Sequence, residues 1–120
     1  MSVYDKAYEL AKALANSPEY LQYLASREKL EQDETNYIML QHYRRQQWEV
    51  QMVQLLGQEV AEEVAEELEQ LYAFLSANPI VNEFLTAEYR FSRMMTDIQK
   101  IVGEAIGGWL IEENTNKMYN

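Results

Sequence analysis

Six glutamates fall within residues 59–69: Glu59, Glu62, Glu63, Glu66, Glu67 and Glu69. Carboxylates this dense are the raw material of a di-metal centre. Such a centre draws Glu residues from several helices and needs two Glu-x-x-His motifs to complete its ligand set. This chain has one histidine, His42, and the residue three before it is Met39. The motif is missing, so no metal site is expected. Two readings of the run then stand. It is a solvated acidic face, costing a few tenths of a kcal/mol for each like-charged pair three or four residues apart. Or it is an electrostatic face for a basic partner, with Glu59, Glu62, Glu63 and Glu66 as the candidate residues.

The other reactive side chains are as sparse. There is no cysteine, which removes thiolate nucleophiles, disulfides, zinc knuckles and self-ligated iron–sulfur clusters together. His42 has neither a cysteine partner nor a recognisable acid–nucleophile pattern around it. It is read as a partly exposed helix residue beside Tyr43, Arg44 and Arg45. Arg44, Arg45, Arg90 and Arg93 sit near apolar stripes, where they pair with carboxylates or contact a partner. Gly103 and Gly107 have the small-xxx-small spacing that lets helices approach closely, a motif whose meaning lies mainly in lipid. No strand precedes a glycine cluster, so no phosphate-cradling loop is expected. No catalytic, cofactor-binding or metal-binding residue emerges, and the chain reads as a non-enzyme.

The elements that must carry these residues are helical throughout. Val3, Ala7, Leu10, Ala11 and Leu14 form one stripe of a first helix over residues 3–15. Ser17-Pro18 opens a second, with serine as N-cap and proline at the first helical position. The polar run QDETN at 32–36 either breaks that helix, with Asp33 as a new N-cap, or only bends it. Left unbroken to residue 56, the helix would be roughly 58 Å long. A third helix over 34–56 is apolar on two sides, one carrying Leu40, Tyr43 and Val50 and the other Trp48, Met52, Leu55 and Leu56. Gly57 supplies its stop. A fourth, QEVAEEVAEELEQLYAFLSA, places Val60, Val64, Leu68, Leu71 and Leu75 at helical spacing.

Asn78-Pro79 launches the last helix, expected over residues 79–112. Phe84, Phe91, Ile98 and Ala105 recur every seven residues, and Ala87, Met94 and Ile101 fill the complementary set, as in a coiled-coil seam. Met95, Val102 and Trp109 add a third column. A helix roughly 50 Å long with so broad an apolar face has more surface than one small domain covers, which predicts a homo-oligomer, a dimer foremost. The expected fold is all-α: an antiparallel bundle of four to five helices with long third and C-terminal helices. Residues 1–112 form a single domain and 113–120 a polar tail. Trp48, Met52, Phe84, Phe91, Met94, Met95, Ile98 and Trp109 are the candidate self-association or partner surface.

Charge narrows the class of partner. The net charge is −10, with six Lys/Arg against eight Asp/Glu in residues 1–56 and four against twelve in 57–120. An acidic chain without a basic stripe is ill-suited to a phosphate backbone, so direct nucleic-acid binding is not expected. No basic segment followed by an apolar run opens the chain. No apolar run approaches the roughly 18 residues of a membrane span. A cytoplasmic protein that does not enter the membrane is the expectation.

The order of signals is distinctive. VYDKAYELAKAL, SPEY, EKLEQDE, LQHYRRQQ and LLGQEV follow one another, and then LSANPIVNEFLTAEYRFSRMMTDIQKIVGEAIG. In that order, over residues 3–110, the chain resembles the YlbF/YmcA family of small bacterial helical regulators, and its YheA-like members in particular. The resemblance implies a self-associating helical adaptor without catalytic residues. It also implies a link to competence, sporulation and biofilm formation, through partners of the YlbF/YmcA/YaaT type and modulation of the endonuclease RNase Y. Some such complexes hold iron–sulfur clusters on cysteines, which this chain lacks. The alternative is a self-assembling structural bundle with no regulatory partner; an enzyme using clustered carboxylates is a third reading.

Overall fold

The computed structural model describes residues 2–107. Among them are five helices and no strand: α1 (Val3–Ala15), α2 (Pro18–Gln32), α3 (Glu34–Leu55), α4 (Glu62–Ala77) and α5 (Pro79–Ala105). The all-α expectation holds, and local chemistry explains each boundary. Ser2 and Asp5 form a reciprocal capping box on α1, Asp5 N–H donating to Ser2 Oγ at 3.1 Å and Ser2 N–H to Asp5 Oδ2 at 3.3 Å. Ser17 Oγ accepts from Tyr20 N–H at 3.2 Å, with Pro18 at the first helical position. The QDETN run is a break and not a bend, since Asp33 ends α2 and its carboxylate accepts from Asn36 N–H to start α3. Asn78 Oδ1 accepts from both Ile80 N–H (3.0 Å) and Val81 N–H (3.3 Å) at the start of α5.

Two boundaries differ from expectation. The fourth helix begins at Glu62 and not at residue 58. Gly57 takes φ +77°, a left-handed turn that glycine adopts without steric cost. Residues 58–61 then run outside helix, and Ala61 offers no side chain to cap the start. The last helix ends at Ala105 with Ile106 as C-cap, giving about 40 Å of helix. Residues 108–112, Trp109 among them, and the tail at 113–120 lie outside the described residues.

Aromatic contacts set the direction of packing. Tyr20 meets Phe91 at 5.1 Å between ring centroids, Tyr23 meets both Phe91 and Phe84 at 5.8 Å, and Lys29 Nζ reaches Glu83 at 3.2 Å. As α2 ascends its contacts descend α5, so the two run antiparallel. Tyr43 against Tyr72, at 5.8 Å, ties α3 to α4. The core is small and sits at one end. Leu30, Leu40, Leu75, Val81 and Phe84 converge there, sealed by Tyr23, Met39, Tyr43, Leu71, Ile80 and Leu85. Its two buried polar side chains are satisfied locally. Ser26 Oγ donates to Tyr23 C=O at 3.0 Å, and Asn36 Nδ2 donates to Asp33 Oδ2 at 2.8 Å.

From that core α1, the later turns of α3 and the later turns of α5 extend outward. The molecule measures 54 × 40 × 16 Å with a radius of gyration of 19.0 Å, against about 14 Å for a compact chain of this length. Its thinnest dimension is that of two packed layers of helices, whose axes lie about 8–10 Å apart. Among the described residues no helix is long and apolar enough to cross a membrane.

Candidate interaction surfaces

The residues expected to do chemistry are dispersed. Glu59, Glu62, Glu63 and Glu66 are all exposed, Glu59 in the segment before α4 and the others in its first two turns. No group of three or more His, Asp or Glu among the described residues is gathered closely enough to hold a metal. His42 is exposed on α3. Of Arg44, Arg45, Arg90 and Arg93, Arg44 is the one the fold ties between helices. It pairs with Glu88 across α3 and α5, and its guanidinium carbon lies 5.6 Å from the centre of the Phe84 ring. Arg45, Arg90 and Arg93 make no ion pair within 4.0 Å among the described residues. Tyr43 lies against Tyr72 between α3 and α4. Burial, with Tyr72 beside it, raises its phenol above the ordinary 10.0.

The expected self-association residues divide into three groups. Phe84 is 4% exposed and belongs to the chain's own core, which corrects its assignment to a partner surface. The reason is Tyr23, Leu30 and Leu40, which close over it from α2 and α3. Phe91 is half-buried under Tyr20 and Tyr23. Met94, Met95 and Ile98 continue the same stripe and are half-buried, and the next turns open to solvent, with Ile101 67% exposed and Val102 and Ile106 close to half. Trp48 is 59% exposed and Met52 half-buried on α3. With Ile38, His42, Arg44 and Arg45, Trp48 lines a shallow cationic and apolar hollow.

The stripe on α1 is a face whose exposure the sequence reading left unassigned. Val3, Ala7, Leu10, Ala11 and Leu14 make a face of the kind that normally seats against a core. No residue of α1 is buried, Val3 is 84% exposed, and Tyr4 and Tyr8 are equally open beside it. The helix touches only the start of its neighbour α2 appreciably. The signal that could have revealed this is its composition, since alanines at alternate contact positions leave little volume to bury alone. The chain's accessible surface is 9615 Å², where a compact monomer of its mass shows about 6,800 Å². Even half of that excess exceeds the roughly 800 Å² each partner buries in a standard stable interface.

A family model described as "Control of competence regulator ComK, YlbF/YmcA" matches residues 3–107. The chain is 42% identical over 106 residues to a UPF0342 protein of Desulfitobacterium hafniense, covering 88% of this chain and 86% of that one. A UPF0342 protein of Caldicellulosiruptor saccharolyticus is 40% identical over 105 residues, covering 88% of each. Among solved structures, a protein of unknown function (DUF964) from Bacillus stearothermophilus superposes with a TM-score of 0.74 at 21% identity. That match covers 87% of this chain and 91% of the other. At that identity the likeness is one of fold.

Proposed function

Because the chain belongs to the YlbF/YmcA family, described by its control of a competence regulator, we propose that it is a non-enzymatic regulatory adaptor. It acts in the cytoplasm through protein–protein contacts made by a homodimer. The observation that carries this reading is the amount of apolar helix face, on α1 and late α5, that the chain's own fold leaves uncovered. Faces of this size on a protein without a converged reactive site have binding as their use. Resemblance supplies the setting: competence, sporulation or biofilm formation, with YlbF, YmcA, YaaT or RNase Y as the type of partner.

The structural alternative accounts for part of the same observation. The uncovered area is more than self-association alone requires. The α3 hollow around Ile38, Arg45 and Trp48 separates the two, because it is distinct from α1 and late α5. The test is to mix the purified dimer with purified YlbF-, YmcA- and YaaT-type proteins and RNase Y, and to follow complexes by light scattering. An adaptor gives a complex that Trp48→Ala weakens while the dimer survives. A dimer that binds none of them is the assembly-only protein.

A further inference from the structure

We infer that two copies of this chain exchange α1 arms, so that α1 of each lies on the late turns of the partner's α5. The inference rests on the homodimer reading above and goes beyond it by naming the contact. Two apolar surfaces, the α1 face and the late turns of α5, stand open to solvent among the described residues. The face of α1 runs over 13 residues, about 20 Å of helix. The open part of the α5 stripe begins at Ile101 and, with Val102 and Ile106, spans about 9 Å, so it takes only part of the α1 face. Ala7 and Ala11 on the first allow close approach to Ile101 and Val102 on the second, with Leu10 as the larger contact.

The chain does not bring these two surfaces together itself. The corner between α1 and α2 is pinned: Asn16 Nδ2 donates to Lys12 C=O at 2.8 Å and Ser17 Oγ to Leu14 C=O at 2.7 Å. The corner holds α1 out from the core, with Leu14 half-buried and Leu10 41% exposed on its apolar face. A two-fold axis covers all four surfaces at once, because each arm that leaves its own α5 bare meets the bare α5 opposite. The area freed is of the size a stable dimer requires.

Trans-complementation tests it. Leu10→Glu on α1 and Ile101→Glu on α5 change exposed positions outside the core, and unchanged helical circular dichroism verifies each fold. Each variant alone is expected to scatter light as a single chain at micromolar concentration. Mixed, they are expected to form a heterodimer, since one of its two arm contacts joins an intact α1 to an intact α5. A second measurement does not disturb the interface. A Leu10→Cys chain and a tagged Ile101→Cys chain, mixed and treated with a short bismaleimide, are expected to give mainly the mixed cross-link, a clean readout in a protein without cysteine. A dimer indifferent to Leu10→Glu, or cross-links mainly between like chains, overturns the exchange and leaves the homodimer standing. A monomeric wild-type chain overturns both.

Discussion

At Asn78 one carboxamide oxygen satisfies two amides that a helix start leaves without partners. Asn78→Ala is expected to lower stability by about 1 kcal/mol, measured by urea denaturation. Leu75 and Leu30 are almost wholly enclosed, and replacing either by alanine is expected to cost about 2–5 kcal/mol. In so small a core a loss of that size is a large share of the total. Tyr43 gives a pH dependence with a definite sign. Its phenol has a higher pKa folded than unfolded, so the folded state holds the proton more tightly. That contribution is complete below the unfolded value of about 10 and is lost as pH rises through the folded one. Tyr43→Phe is expected to flatten the alkaline limb of a stability–pH curve, and an identical limb would contradict this assignment.

Among the elements, the starts of α2 and α5 were legible because capping is local chemistry. At Asp33 the cap was legible, but the choice between a break and a bend was not. Ser17-Pro18, Asp33 and Asn78-Pro79 carry their meaning within four residues. The start of α4 was not. Nothing in QEVAEEVAEELEQ distinguishes residues 58–61 from those that follow, and they leave the helix because Gly57 turns left-handed ahead of an uncapped Ala61. Gly57→Ala meets no atom within 4 Å, so its cost is backbone strain alone, about 1–2 kcal/mol. The seven-residue rhythm of α5 was legible too, but a rhythm names a stripe and not its neighbour. Phe84 and Phe91 look alike in that pattern, yet α2 and α3 enclose the first, while the aromatic pair Tyr20 and Tyr23 half-covers the second. The same holds for α1, whose stripe is legible in the sequence while its exposure among the described residues is not.

The whole molecule is a thin plate with its core at one end and apolar helix faces at its margins. Its surface and radius of gyration exceed those of a compact chain of its length. The candidate chemistry dissolves at this scale, because Glu62, Glu63 and Glu66 point to solvent from one helix, and His42 stands apart on another. What persists is contact surface, in keeping with a family described by regulation. The most direct test of this account is sedimentation equilibrium of the wild-type chain at micromolar concentration. The account predicts a species of twice 14.2 kDa; a single species of 14.2 kDa throughout the concentration range would contradict it.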